Sequence, residues 1–239
     1  MLRESRCFLV GVDERDVAWL VSHLRNMGLK VVDVPDFRGI QLHLSNYENR
    51  SLVLIDRFSL DKTDHVFFYN VPKLSPSFEN SNFSNFAYSE WRAALEAAFS
   101  DTSAHIINKG WILRNCSLRT SDKFWTHRCQ RILNKTDLID FSWKQLDCEI
   151  QTYPSDNIFE VSLTRKRWST LLPNLYDFQE STITEALIKI QDVLYQENLD
   201  FLRLWFKFSE NKELLLSRAS AELPLKNSLP FLKTLNDFI

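Results

Sequence analysis

The sequence has 239 residues, a formal net charge of −2 and 44% apolar residues, which is the composition of a globular protein large enough to bury a core. This composition excludes disordered and collagen-like chains. Glycine occurs only four times and never beyond Gly110, so a glycine-rich phosphate-binding loop is not expected in the second half of the chain.

The cysteines and the apolar stretches indicate the cellular setting. Cys7, Cys116, Cys129 and Cys148 form no CxxC pair and have no regular spacing, so we expect reduced thiols in a cytoplasmic protein. The apolar stretch near the start is too short for a secretory signal. No stretch approaches the roughly 20 apolar residues needed to cross a bilayer, so we expect no membrane span.

The first 34 residues predict a β-α-β unit. Residues Arg6–Val12 read as a buried strand, and Asp13 is the predicted N-cap of a helix with apolar residues at helical spacing. Gly28 stands where a helix C′ residue is expected, and the β-branched run Lys30–Val34 predicts the second strand. Such a unit pairs its two strands in parallel and begins an open sheet.

The rest of the chain predicts further short strands and three helices. A capping box at Thr182 and Glu185 predicts a helix start, and Asn198 predicts its stop. The alternation of apolar and basic residues in 202–208 predicts a strand that returns as a hairpin. The predicted strands are 41–44, 52–55, 65–69, 104–107, two around Tyr153–Asn157, 202–208 and 213–217, and the other two helices are 88–99 and 121 to about 133.

These elements predict an α/β or α+β fold. We expect a small open mixed sheet with flanking helices in residues 1–115. A C-terminal helix and β-hairpin unit is expected in residues 116–239. Residues 71–85 hold prolines and many serines and asparagines, and they predict a loop.

The order of these elements resembles a known family. Four segments follow in the family's order, at Val34–Phe37 (VPDF), His65–Pro72 (HVFFYNVP), Phe86–Leu95 (FAYSEWRAAL) and from Asn108 to Arg131. They are similar to the pre-ATP-grasp domain of the ATP-grasp peptide ligases that macrocyclise ribosomal peptides. The closing helix and hairpin of residues 182–222 look like the end of an ATP-grasp core. The resemblance implies a pre-ATP-grasp-like domain in 1–115 and a contracted core in 116–239.

The chain departs from this family at the positions that carry its chemistry. Asn70 and Val71 stand where the family has paired arginines after the aromatic strand. The family's terminal hydrophobic-E-V-N-P segment, whose Glu and Asn hold magnesium against the ATP phosphates, falls at Leu215–Ser220 (LLSRAS). No carboxylate or amide stands there. The resemblance therefore implies a degenerate relative, a pseudoenzyme without cofactor or metal.

Two groups of residues are candidates for binding. A basic group beside a tryptophan is a candidate for a phosphate-rich ligand or an acidic peptide, and a solvated helix face is the alternative. Its members are Lys109, Arg114, Lys123, Arg128, Arg131, Arg165, Arg167 and Trp168. Phe78, Phe83 and Phe86 lie in an Asn- and Ser-rich loop, where they could bind a partner protein or fold back onto the domain. His105, His127 and the cysteines have no catalytic or metal-binding spacing and are expected to be ordinary surface or core residues.

Three functions remain open from the sequence. The first is a non-catalytic interaction or regulatory protein related to ATP-grasp ligases, which binds a peptide or a partner protein. The second is an ATP-dependent carboxylate-amine ligase, as one subunit of a pair, with Lys109, Lys123 and Arg128 on phosphate. In that case ATP and magnesium are the cofactors, and Glu210, Glu213 or Glu222 would hold the metal. The third is a nucleic-acid-binding protein, which the balanced charge disfavours.

Overall fold

The chain forms two compact units in a computed structural model. Unit 1 comprises residues 1–107 with Leu225–Asn227, and unit 2 comprises residues 108–224 with Ser228–Ile239. The predicted boundary between residues 115 and 116 lies outside the described residues and stays a prediction. The structure describes residues 5–35, 40–45, 50–55, 57–69, 90, 93–94, 97–109, 122–134, 158–170, 177–208 and 214–239.

Unit 1 contains a parallel sheet with the strand order β2-β1-β6-β7. Strand β1 is buried along its whole length, because parallel strands are covered on both faces. The register pairs Phe8 with Val32 on one side and with Val66 on the other. These elements are β1 (Arg6–Val10), α1 (Ala18–Asn26), β2 (Lys30–Val34), β6 (His65–Phe68) and β7 (His105–Ile106).

The predicted β-α-β opening is confirmed, but its helix begins later than expected. Gly28 has φ +83°. The amide of Leu29 donates to Leu24 and that of Gly28 to Arg25, which is the Schellman arrangement of a helix end. Asp13 is not the N-cap of α1. Its carboxylate instead accepts from the backbone amide and the side chain of Arg15, in the turn that precedes the helix.

A second, antiparallel sheet of unit 1 confirms two predicted strands. Its order is β3-β4-β5, and it consists of β3 (Ile40–Ser45), β4 (Arg50–Ile55) and β5 (Phe58–Ser59). Residues 97–101 are helical, so this helix includes the end of the range predicted as 88–99 and continues two residues beyond it. Phe99 is fully buried and packs edge-on against Phe68, with the ring centroids 5.2 Å apart.

An ion pair is buried inside unit 1. Asp64 has no exposed surface, and the side chain of Arg6 is 8% exposed. The guanidinium donates from Nε and Nη2 to the two carboxylate oxygens, at 2.8 and 2.6 Å, and from Nη2 to the carbonyl oxygen of Ser59. The rings of Phe8 and Phe58 lie 5.4 and 5.0 Å from the Arg6 Cζ. The charge is therefore paired, hydrogen-bonded and packed against aromatic faces.

Unit 2 is an antiparallel sheet of order β11-β10-β8-β9 with helices packed on it. The hydrophobic residues Leu202, Leu204 and Phe206 alternate along one strand and are fully buried. The elements are α2 (Asp122–Asn134), β8 (Phe159–Thr164), β9 (Trp168–Thr170), α3 (Asp177–Gln196), β10 (Phe201–Phe208), β11 (Leu214–Ser220) and α4 (Leu229–Leu235). Together the two units confirm the predicted mixture of helices and sheets. The two strands predicted around Tyr153–Asn157 lie outside the described residues and stay a prediction.

The limits of α3 correct one prediction and confirm another. The helix begins at Asp177, so Thr182 lies inside it and is not its cap. The end is as predicted. Asn198 has φ +52°, and the amide of Leu199 donates to Leu194 in a second Schellman arrangement. The helix therefore stops at the asparagine that the sequence indicated.

Helix α2 lies along the outer side of β11. Thr126 Oγ1 accepts a hydrogen bond of 2.8 Å from the Ala219 amide, and Gln130 Nε2 donates one of 2.9 Å to the Leu216 carbonyl oxygen. Trp125 and Cys129 of the same helix are buried, as predicted from their spacing. The side chains of α2 thus form hydrogen bonds with backbone groups of β11 that are not bonded to another strand of the described sheet.

Candidate functional site

The polar side chains of β10 and β11 form one face of the unit 2 sheet. Arg203 and Trp205 alternate with the buried residues of β10, and the register places Arg218 of β11 directly opposite Trp205. Glu160 of β8 is opposite Trp205 on the other side. We use the name Trp205 cluster for Asp122, Glu160, Arg203, Trp205 and Arg218.

Both arginines of the Trp205 cluster are ion-paired and stacked on the indole. Arg203 Nε donates to Glu160 Oε1 at 2.7 Å, and Arg218 Nε donates to Asp122 Oδ2 at 2.7 Å. Their Cζ atoms lie 4.8 and 4.7 Å from the centroid of the Trp205 ring. The two guanidinium groups therefore gain cation–π contacts in addition to their ion pairs.

Further contacts connect the cluster with α4 and the end of β11. Ser228 is the N-cap of α4, and its hydroxyl also donates to Glu160 Oε1 at 2.8 Å. Partial burial, and then the charge of Asp122, raise the pKa of Glu222. One carboxylate oxygen of Glu160 thus serves both Arg203 and Ser228, which fixes the geometry of this face.

The donor set of this face does not fit a magnesium ion. The segment Leu215–Ser220, where the resemblance places the metal ligands of ATP-grasp ligases, brings the guanidinium of Arg218 onto the face. Asp122 and Glu160 are each neutralised by an arginine. Magnesium prefers several oxygen ligands, and a fixed cation repels it. Within the described ranges, no group of three His, Cys, Asp or Glu side chains could hold a metal ion.

Two of the predicted binding residues hold the ends of helices. Arg165 Nη2 donates to the Leu194 carbonyl oxygen in the last turn of α3 at 3.5 Å, and its Nε donates to the Leu199 carbonyl oxygen after the helix at 2.9 Å. Arg167 Nη2 donates to the Lys233 carbonyl oxygen of α4 at 2.6 Å, and its Nε pairs with Asp237 at 3.0 Å. Cations are favourable at helix C-termini, where carbonyl groups lack helical partners. These arginines are thus engaged within the fold.

We expect the Arg165→Ala substitution to lower the free energy of unfolding by about 1 kcal/mol, because the carbonyl groups at the end of α3 lose a charged donor. Urea unfolding followed by circular dichroism measures this loss. Lys166→Ala is the matched control, because Lys166 is the exposed neighbour in the same turn, and it is expected to change stability by less than about 0.5 kcal/mol. Equal losses in the two variants would contradict this role for Arg165.

The other predicted binding residues that the structure describes lie on α2, on β9 and just after β7. Arg128 Nη2 pairs with the buried Glu197 at 2.8 Å, which ties α2 to the end of α3. Arg131 is exposed, and Lys109 and Lys123 are half-buried. Trp168 is half-buried in β9, opposite Leu163. Arg114, Phe78, Phe83 and Phe86 lie outside the described residues, so their binding roles stay predictions.

Two described cysteines are buried and free of disulfides. Burial raises the pKa of Cys7, and it raises that of Cys129 to about 12. A thiol with so high a pKa holds almost no thiolate at neutral pH and is a poor nucleophile. This agrees with the expectation of core thiols. His105 and His127 belong to different units.

The sequence indicated the face of the Trp205 cluster but not the cluster itself. The alternation of basic and apolar residues in 202–208 predicted that Arg203 lies on a polar face. The partners Asp122 and Glu160 are distant in sequence and come together only through the pairing of β8 with β10 and the packing of α2 on β11. Local patterns carry no signal for such contacts.

No helix in the described part of the chain is long and apolar enough to span a membrane.

Solved structures of ATP-grasp ligases are similar to the chain. The ligase PsnB, complexed with the precursor peptide PsnA2 and AMPPNP, matches with a TM-score of 0.57 and 10% identity over 95% of this chain and 92% of that chain. The macrocyclase MdnC from Microcystis aeruginosa MRC, bound with precursor peptide MdnA, matches with a TM-score of 0.56 and 10% identity over 92% of each chain. D-alanine-D-alanine ligase from Aeromonas hydrophila has a TM-score of 0.50 and 14% identity, and covers 98% of this chain and 94% of that chain.

These matches concern the fold and not the sequence. No protein-family model matches the chain, and no curated protein matches it. The similarity extends over nearly the full length of both proteins in each comparison, so it includes both units. The resemblance to the ATP-grasp peptide ligases that the sequence suggested is therefore confirmed at the level of the fold: the chain is ATP-grasp-like.

Proposed function

We propose that the protein is a non-catalytic relative of the ATP-grasp ligases that acts by binding a peptide or a partner protein. The observation that carries this proposal is the Trp205 cluster. A guanidinium lies at the position that the resemblance assigns to magnesium ligands, and both nearby carboxylates are paired with arginines. Among the described residues Glu222 adds a further carboxylate beside Asp122, but its pKa is raised, so this face is poorly suited to hold magnesium against a triphosphate.

The peptide-binding part of the proposal is supported by the structures with a similar fold. PsnB and MdnC were both solved with a precursor peptide bound. Peptide binding and catalysis are functions of separate sites on one fold. A relative can therefore keep the peptide-binding surface after the catalytic site is lost. We therefore propose a peptide or protein partner, with no cofactor and no metal.

The proposal is tested by thermal unfolding of the purified protein with and without millimolar Mg·ATP. We expect no change in the midpoint, because only a ligand that binds the folded state raises it. For comparison, a ligand at 100 times its Kd stabilises the folded state by about 2.7 kcal/mol. PsnB, which was solved with magnesium and ADP, is the matched positive control. A clear rise in the midpoint of this protein would contradict the proposal.

An active ATP-dependent ligase is the second candidate. The fold comparison favours it, since the similar structures include ligases with bound nucleotide. In this case Lys123 contacts phosphate, and the Lys123→Ala variant loses nucleotide affinity, while Lys189→Ala, at an exposed lysine of α3 outside the basic group, keeps it. Release of ADP in the presence of an acidic peptide, measured with the purified chain, would establish this candidate in place of the first.

A further inference from the structure

One side of α3 exposes two large apolar residues together with charges of both signs. Ile188 and Tyr195 are 62% and 58% exposed, whereas Ile190 on the opposite side of the helix is fully buried. The two exposed residues are seven positions apart, so they lie on the same side of α3, about 10 Å apart along its axis. Lys189 and Asp192 are exposed beside them. We use the name α3 strip for Ile188, Lys189, Asp192 and Tyr195.

The ring of Tyr195 is held in place although it is exposed. Its hydroxyl donates to the carbonyl oxygen of Arg165 at 3.3 Å, and the Arg165 Cζ lies 5.4 Å from the ring centroid. Gln191, one turn earlier on α3, donates from Nε2 to the same carbonyl oxygen at 2.7 Å. An ordered aromatic side chain loses little conformational entropy on binding, and tyrosine is frequent among the residues that dominate interface energies.

The charges of the α3 strip are complementary to those of a second copy of the strip. Among the described residues, neither Lys189 nor Asp192 is ion-paired. Two antiparallel α3 helices related by a twofold axis between these two positions bring Lys189 of each copy opposite Asp192 of the other. The same axis brings Ile188 of one copy to within about 3 Å, along the helix axis, of the position of Tyr195 in the other.

We propose that the protein forms a twofold-symmetric dimer in which the α3 strips of two copies pack antiparallel. Such an interface uses the same surface on both copies, so it requires a surface that is complementary to itself. The α3 strip meets this requirement with its apolar residues and with its charges. The inference does not depend on the proposed function, because α3 contributes no residue to the Trp205 cluster.

The size of the α3 strip sets the expected affinity. The helix has 20 residues and is therefore about 30 Å long. One side of a helix of this length offers less than the roughly 800 Å² per partner that a standard interface buries. We therefore expect a reversible dimer with a Kd of roughly 1–100 μM.

Sedimentation equilibrium of the full chain, at concentrations from about 1 to 200 μM, tests this inference. We expect the mean mass to rise with concentration from that of one 28.2 kDa chain toward twice that mass. Ile188→Glu places a carboxylate in the apolar contact and is expected to raise the dimer Kd by about tenfold or more. Leu229→Glu, at an exposed apolar residue of α4, is the matched control and keeps the wild-type Kd.

Reversal of the two charges distinguishes this dimer from other kinds of self-association. Lys189→Glu puts two carboxylates opposite each other, and Asp192→Lys does the same with two ammonium groups, so each variant is expected to raise the dimer Kd by about three- to tenfold. The double variant restores both pairs with reversed polarity and should return the Kd to within about twofold of the wild-type value. Circular dichroism checks that each variant is folded.

Three results would overturn the inference. The first is a monomer at every concentration of the wild-type chain, which would leave the α3 strip to a different partner. The second is a dimer that Ile188→Glu weakens no more than Leu229→Glu does, which would place the contact elsewhere. The third is a folded double variant that dimerises as weakly as the two single variants, which would exclude the pairing of Lys189 with Asp192.

Discussion

Replacing Asp64 by alanine is expected to lower the free energy of unfolding by about 3–5 kcal/mol, because the guanidinium of Arg6 is left buried without its counter-charge. Arg6 is 6% exposed, and hydrogen bonding to Asp64 raises its pKa. It cannot become neutral in the Asp64→Ala variant, because an arginine keeps its proton at any ordinary pH. The whole cost of desolvation therefore falls on the folded state.

Urea unfolding followed by circular dichroism measures this loss, with hydrogen exchange of β1 as the readout for unit 1. Asp61→Asn is the matched control, because Asp61 lies 4.0 Å from the Arg6 guanidinium and is more exposed. The control is expected to lose less than about 1 kcal/mol. The double variant Arg6→Leu with Asp64→Ala should recover much of the loss, since it leaves no buried charge. A loss below about 1 kcal/mol in Asp64→Ala would contradict the role of this pair.

The second large effect is expected for Asn108→Ala in unit 2. Asn108 is 2% exposed, and its side chain makes four hydrogen bonds to backbone groups. Nδ2 donates to the carbonyl oxygens of Phe201 and Ala221 at 3.2 and 2.7 Å, and Oδ1 accepts from the amides of Asp200 and Phe201 at 2.7 and 3.1 Å. Alanine leaves these groups without a partner in a buried place, so we expect a loss of about 3–5 kcal/mol.

Backbone strain must be separated from hydrogen bonding in this experiment, because Asn108 has φ +51°. Asn108→Gly relieves the backbone strain but does not restore the four hydrogen bonds, so this variant should keep most of the destabilisation. Asn198→Ala is the matched control, since Asn198 has φ +52° and is exposed, and its side chain accepts an exposed hydrogen bond of 3.0 Å from Arg165 Nη2. We expect the free energy of unfolding of this control to fall by about 1–2 kcal/mol, from the left-handed backbone and the loss of this one bond. Comparable stability of Asn108→Gly and the wild-type chain would contradict the bonding role of Asn108.

The parts of the fold that could be predicted from sequence are those that local patterns determine. The β-α-β opening, the stop of a helix at Gly28 and the hairpin of β10 and β11 each depend on residues close together in the chain. Glycine tolerates positive φ, and successive side chains of a strand point to opposite faces of the sheet. Such rules act within a few residues and therefore need no knowledge of the tertiary structure.

The predictions that were wrong concern residues with more than one suitable partner. Asp13 and Thr182 have the side chains of N-caps, but Asp13 binds Arg15, and α3 extends five residues upstream of Thr182, from Asp177. Short polar side chains offer the same hydrogen bonds to a turn, a helix interior or a cap. Only the packing of the surrounding elements decides among these uses.

The candidate site also combines features that the sequence indicates with features that depend on the tertiary structure. The sequence showed that Leu215–Ser220 contains no carboxylate or amide side chain, but it did not show that Arg218 pairs with Asp122. It also proposed Arg165 and Arg167 as ligand-binding residues, which stays a prediction, but it did not show that both donate to carbonyl groups of helix ends. A basic residue looks the same in sequence whether it meets a ligand, a carboxylate or a carbonyl group. The partner is known only from the fold.

The contacts of α2 with β11 also bear on the state of the protein in concentrated solution. A sheet edge with free amides and carbonyl groups is a template on which other chains can add strands and aggregate. At the β11 edge, Thr126 accepts from one backbone amide and Gln130 donates to one carbonyl oxygen. The helix thus ends the hydrogen-bond ladder with side chains, and this edge of unit 2 is protected from strand addition by neighbouring molecules.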